Sequence, residues 1–408
     1  MSDSYGLDVE RWLRRVAAHH GVPDFVFRPL DVAKDPRGRT QREVGDFLLW
    51  VGDAVAIVSS KSREPTAAER ETQDRRTRWF DKQVSGAFDE IKGVVRTLRR
   101  AEASAIVLES ERGVKVPWTP KPTSAYVGVI LLHASPPDED WAPPLMDDGV
   151  PTIAMLAEDW NFLNRVLPST MALIRYLGRR LAYIPRCPMG SEADILALIL
   201  EHENLGKPIE IPRGGLPKGY FGDVAARHPD WFLGGDPDDH FSYVIDAMIE
   251  GAADADPTRS SSLDPLGYMQ IVEFLDRIPL LTRVTIGRGV VERCRRVGEH
   301  GGRIATRFAV PHGMLAFVAS DARRDERVSW LKSITMARHS QALDGGAPAS
   351  LLTLGVTTDP IPSEHRTHDF VLIQGGIRSD ATFRTRRDDL FGAIDVEPML
   401  AYWRDHPA

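Results

Sequence analysis

Hydrophobic positions near the start of the chain alternate between two spacings. Leu7, Val9, Trp12, Leu13, Val16 and Ala17 recur at near-helical intervals, which predicts a helix over 7–20 that ends at Gly21, Val22 and Pro23. Residues 25–29 read as a short strand and 35–38 as a turn. Residues 46–51 and 54–60 are rich in Val, Ile, Phe, Leu and Trp, which favours strands. Gly52-Asp53 lies between them and suits a two-residue type II′ turn. In that hairpin Val51 faces Ala54, and Asp46 faces Ser59. Side chains alternate along a strand, so Ile57, Ser59 and Lys61 share one face, and Asp46 shares it with them.

A longer helical rhythm follows over 70–100, where Phe80, Val84, Ala87, Phe88, Ile91, Val94, Val95 and Leu98 form one stripe. Residues 105–109, 127–133 and 152–156 read as further strands, and 159–183 as a helix interrupted near Pro168. Residues 115–123 hold three prolines and read as a connector. Beyond it, 193–203, 241–250, 266–277 and 290–297 look helical. Then 314–320, 351–357 and 370–374 look like strands, with a helix near 324–339. The fold class expected is mixed α/β. The run Pro185-Arg186-Cys187-Pro188-Met189-Gly190 marks the expected division. It separates residues 1–185 (core 8–121, extension 122–185) from an α/β domain of unknown role over 190–408.

Composition narrows the class. The 408 residues suit two domains, and 42% hydrophobic residues suffice for ordinary cores. No apolar run is long enough to predict a membrane-spanning helix. Cys187 and Cys294 allow no disulfide framework and no four-cysteine zinc site, so a reducing cytoplasm is expected. A net charge of −7 argues against a surface coated in positive charge. Locally the balance inverts: residues 61–100 carry eleven Lys and Arg against seven Asp and Glu.

Several familiar signals are absent or weak. Gly214-Gly215-Leu216-Pro217-Lys218-Gly219 lacks P-loop spacing, and Gly287-Arg288-Gly289 lacks the third glycine of a dinucleotide site. No G-x-S-x-G elbow occurs. His365 and His368 lie three apart among Pro, Ser and Thr, with no Cys or Glu at zinc spacing. Trp12, Trp50, Trp79 and Trp160 read as core or interface residues; stacking on bases requires that they be exposed.

The order helix, strand, strand, strand, helix, strand, with Gly45-Asp46-Phe47-Leu48 on the second strand and Val58-Ser59-Ser60-Lys61-Ser62-Arg63 on the third, resembles the PD-(D/E)xK nuclease superfamily. The likeness extends through Phe88-Asp89-Glu90-Ile91-Lys92-Gly93 and the stretch 151–163, and covers roughly residues 8–183. It is nearest to bacterial restriction-endonuclease-like proteins, and it implies a mixed sheet flanked by helices. It further implies Mg²⁺-dependent, or Mn²⁺-dependent, cleavage of nucleic acid, DNA favoured over RNA, in defence or repair. Asp46 matches the central metal ligand, Lys61 the catalytic lysine, and the carbonyl of Ser60 a third metal ligand. Ser59 stands where the family places a second acid. Glu90 on the following helix is the first candidate to replace it, ahead of Glu43 and Glu64. Arg63, Arg75, Arg76 and Lys82 are the candidate phosphate contacts. Two other readings compete: an inactive nuclease-like fold that binds nucleic acid or protein, and an enzyme acting on a small phosphate-containing ligand. A homo-oligomer or protein partner through residues 190–408 completes the expectations.

Overall fold

The structure, a computed structural model, describes residues 2–29, 46–64, 72–100, 106–118, 123–138, 141–167, 169–204, 218–228, 243–253, 265–358, 368–375 and 397–405. The turn expected at 35–38, together with Glu43 and His365, lies outside them. The chain is mixed α/β and divides into two compact units, Met1–Gly235 and Asp236–Ala408. The division expected at 185–190 therefore falls inside the first unit. The reason is packing: the helix that follows this connector, Glu192–Asn204, buries Ile195, Leu196, Ala197, Leu198 and Ile199 and packs on the two helices before it.

The first unit opens with α1 (Ser2–His20). Its buried stripe is Val9, Leu13, Val16 and Ala17, while Leu7 and Trp12 face outward. A 3₁₀ turn (Pro23–Phe25) leads into β1 (Val26–Pro29). The hairpin follows as β2 (Phe47–Val51) and β3 (Ala54–Ser62), with Phe47 opposite Val58 and Val51 opposite Ala54, as its alternation predicts. Gly52 has φ +62°, and no other residue type takes positive φ among the described residues, which matches a type II′ turn.

Next, α2 (Gln73–Arg100) buries Phe80, Val84, Ala87, Ile91, Val94, Val95 and Leu98 against the sheet. Phe88 leaves this stripe and sits under the Lys92 ammonium at 4.6 Å. The supposed connector at 115–123 contains a strand: β4 (Val107–Ser110) and β5 (Lys115–Pro117) pair antiparallel. β6 (Ala125–His133) and β7 (Thr152–Leu156) complete a seven-stranded sheet of order β5-β4-β1-β2-β3-β6-β7. β1, β2 and β3 run antiparallel; β6 joins β3 in parallel, after a connection that runs through α2, β4 and β5. Helix and sheet meet closely at Gly128, where an added Cβ would lie 2.2 Å from Thr152 Oγ1 and 3.0 Å from Ile91. α3 (Ala157–Val166), α4 (Thr170–Tyr183), α5 (Glu192–Asn204) and α6 (Tyr220–Arg227) follow.

The second unit begins with α7 (Tyr243–Ala253), α8 (Pro265–Asp276) and α9 (Leu280–His300). Its sheet is β8 (Arg303–Val310), β9 (Gly313–Ser320), β10 (Leu352–Thr358) and β11 (His368–Gln374), in the order β11-β10-β9-β8. α10 (Arg324–Asp344) carries the parallel crossover from β9 to β10, and α11 (Glu397–Asp405) follows β11. Every position of β9 is buried, as a central strand covered on both faces requires.

Candidate functional site

β3 and β6 run parallel, and their C-terminal ends carry the groups of interest. β3 presents its odd residues to one face and its even residues to the other. Ser59 and Lys61 face α2, where Glu90 meets both. Glu90 Oε2 accepts a hydrogen bond from Ser59 Oγ at 3.1 Å and from Lys61 Nζ at 2.7 Å. The serine that replaces the expected acid thus donates to an acid reaching across from the helix. Of the two alternatives for the second acid that lie among the described residues, Glu90 is the one brought to the strand. Glu64 is exposed.

Asp46 departs from its expected place. An unbroken ladder would set it opposite Ser59. Instead its N–H donates to Val58 O at 3.1 Å, a bulge that ends the pairing at Phe47 and re-aims the side chain. The carboxylate then accepts from the Ser60 N–H at 2.5 Å and the Ser60 hydroxyl at 2.6 Å. Asp46 therefore binds the residue beside Lys61 rather than sharing a strand face with it. It still feels the Lys61 charge, which favours its ionised form, and the Glu90 charge, which opposes it. Burial is the largest influence and, despite the Ser60 hydrogen bonds, leaves the Asp46 pKa above the ordinary carboxylate value.

Strand geometry also orients the Ser60 carbonyl. Val58 O points toward the β2 side, where it meets Asp46 N–H. Two residues on, Ser60 turns its own N–H and C=O to that same side, beyond the end of β2. Asp46, the Ser60 carbonyl and Glu90 are all hard oxygen donors, the set a Mg²⁺ or Mn²⁺ ion prefers. A desolvated Asp46 carboxyl beside a second carboxylate is a site that a cation would relieve. Among the described residues no group of three or more His, Cys, Asp and Glu gathers, so a cation here would depend on two carboxylates and a backbone oxygen.

The basic candidates line the approach. At 100° per residue, Arg75, Arg76, Lys82 and also Trp79 and Gly86 lie within roughly 80° of Glu90 around α2. Lys82 stands about 12 Å and Arg75 about 22 Å along the axis from Glu90. Arg75 and Lys82 are exposed, and Arg76 is half-buried. Arg63 extends from the end of β3, and its guanidinium sits over the Trp79 ring at 5.3 Å. A Cβ added at Gly86 meets nothing within 4 Å, so this helix face is open between Lys82 and Glu90.

The other rim escapes sequence reasoning. His133 ends β6; its carbonyl accepts the Arg63 N–H at 3.2 Å, and its Nδ1 lies 3.0 Å from Tyr5 Oη on α1. Trp12 meets the same imidazole edge-on at 5.9 Å. The partners are 128 residues apart, and no local spacing links them.

Set against known proteins, the chain matches no family, no curated protein and no solved structure. Among the described residues no helix is long and apolar enough to cross a membrane.

Proposed function

We propose that the first unit is a Mg²⁺-dependent (or Mn²⁺-dependent) nuclease that hydrolyses phosphodiester bonds in nucleic acid, with DNA its favoured substrate. One observation carries this reading: Glu90 joins Ser59 and Lys61 through a single carboxylate oxygen, in place of the acid that Ser59 lacks. The element order adds support: a helix, three antiparallel strands, a second helix and a further strand is the order on which the resemblance rests. Asp46, Glu90 and the Ser60 carbonyl would hold a divalent cation, which would supply phosphate charge neutralisation and a more acidic water. Lys61 places its Nζ beside Glu90, where it polarises water or a phosphoryl oxygen. Arg63, Arg75 and Lys82 bind backbone phosphates along α2, and Arg63 does so with its plane already braced on Trp79. With Cys187 and Cys294 as its two cysteines and no disulfide framework, the chain suits a reducing cytoplasm.

A second reading has its own observation. Lys61 and Glu90 pair at 2.7 Å and Asp46 already accepts two donors, so every site group is satisfied without a cation. That is how a nuclease-like module that binds without cutting would look. Purified protein with Mg²⁺ or Mn²⁺ separates the two. Cleavage of DNA is expected, with Lys61→Ala, Asp46→Ala and Glu90→Gln each slowing it by about 100-fold or more. Salt-dependent DNA binding with no cleavage in either metal selects the binding module. Cleavage that persists unchanged in all three variants removes this site from the chemistry.

A further inference from the structure

The second unit contains an open groove of about 710 Å³, a volume in the range of pockets that hold whole organic ligands rather than single ions. β8 forms its floor. This strand lies at the end of its sheet, so the groove opens along the edge opposite β9. The first turns of α9 form one wall, and α10 with α11 contribute the other.

The lining combines two chemistries. Leu281, Ile286, Phe308 and Met399 supply apolar surface. Arg307 from β8 and Arg338 from α10 bring two guanidinium groups to the same space. Gln341 Oε1 accepts from Arg338 Nη1 at 2.8 Å, which orients that guanidinium. Thr282, Thr306 and Tyr402 add hydroxyls that can donate to an anion or accept from a polar ring. Among the described residues that line the groove there is no Asp or Glu, although the chain as a whole carries a net charge of −7. Two cations, hydroxyls and an apolar wall in one concave site select an anionic headgroup joined to a flat apolar body.

We propose that this groove binds an organic anion of about mononucleotide size, its phosphate or carboxylate held between Arg307 and Arg338 and its apolar part against Met399 and Tyr402. This inference is independent of the nuclease reading and uses no residue of that site. The arginine fork matches phosphate and carboxylate alike, so the probes must separate them.

Binding is measured by calorimetry on the full chain with four probes: adenosine 5′-monophosphate, ATP, indole-3-acetate and neutral adenosine. At least one anion is expected to bind, with adenosine binding at least about tenfold more weakly than the anion that shares its base, or not at all. A phosphate preference identifies a nucleotide-like ligand, and an indole-3-acetate preference an aromatic carboxylate. Arg307→Ala and Arg338→Ala are each expected to weaken the binding by about tenfold or more. Circular dichroism melts of both variants establish that they remain folded, and Arg307→Lys tests the planar fork if the alanine variant does not. No binding by any anion, or equal binding by wild type and folded variants, overturns the proposal.

Discussion

Asp46 pairs a charge with an environment that disfavours it. Burial raises its pKa, and the two Ser60 donors and Lys61 offset that only in part. A divalent cation competes with the proton for the same oxygens, so metal binding should strengthen as pH rises. The expected result is a Mg²⁺-induced increase in melting temperature that is larger at pH 8 than at pH 5 and is lost in Asp46→Asn. Equal shifts in wild type and variant would place the cation elsewhere. Asp159 poses the complementary case. It accepts from the Gly190 N–H at 3.1 Å, but burial and the nearby Glu192 push its pKa up to about 7. A folded-state pKa above the unfolded one means that the native protein holds the proton longer. Asp159 therefore lowers stability progressively as pH climbs from about 4 to about 7. Asp159→Asn keeps an acceptor for Gly190 and abolishes that slope, so the variant should gain on wild type in urea melts at pH 8 relative to pH 4. A wild-type stability that rises over this window with an unchanged difference to the variant would contradict it.

On the nuclease reading the second acid comes from a helix instead of a strand, and the packing of α2 explains how. α2 packs on β3 and β6, so a residue midway along it can stand over the β3 C-terminus. Glu90 does so with its contacts to Ser59 and Lys61. If the carboxylate matters more than the element that supplies it, Ser59→Asp should restore part of the cleavage lost in Glu90→Gln. Recovery of at least tenfold in the double variant over Glu90→Gln is expected, which a double-mutant cycle resolves as coupling. A purely additive loss would show that the helix position itself is required. The hairpin was legible because alternation and Gly52 set its register locally. The bulge at Asp46 was not, because it depends on where the pairing of two strands stops. Glu90 could be named from its residue type but not placed, since its position depends on the path of α2. α9 was read only in part, over 290–297. Its early turns hold Thr282, Val284, Thr285, Gly287 and Gly289, poor helix formers whose helix is stabilised by packing. Gly289 lies under Phe308, where an added Cβ would come within 3.0 Å of the ring. β8 went unread because Arg303 and Arg307 interrupt its apolar residues, as they can on a strand at the end of a sheet.

Each half of the chain has its own sheet, core and buried ion pair. In the first unit Arg180 meets Glu192 at 3.2 Å, and both are almost wholly buried. Tyr176 also donates to Glu192, while Arg180 Nη2 lies 2.7 Å from Cys187 Sγ, which ties the 184–191 connector to α4 and α5. This is the physical reason why a stretch of prolines and glycine that looks like a linker lies inside a unit. In the second unit Arg283 bonds Asp246 at 2.8 Å and Asp276 at 3.3 Å, joining α7, α8 and α9. Each of these buried charges meets its carboxylate within its own unit. Residues 1–235 expressed alone should therefore fold. A single cooperative melt is expected, together with the pH-dependent Mg²⁺ shift that the full chain gives. A fragment ending at 185 removes Glu192 and Cys187 from Arg180 and strips the α5 packing from α3 and α4. It should melt lower than 1–235 or fail to fold. If 1–185 proved as stable as 1–235, the compositional boundary would be the true one, and the α5 and α6 helices would be an appendage rather than part of the nuclease-like unit.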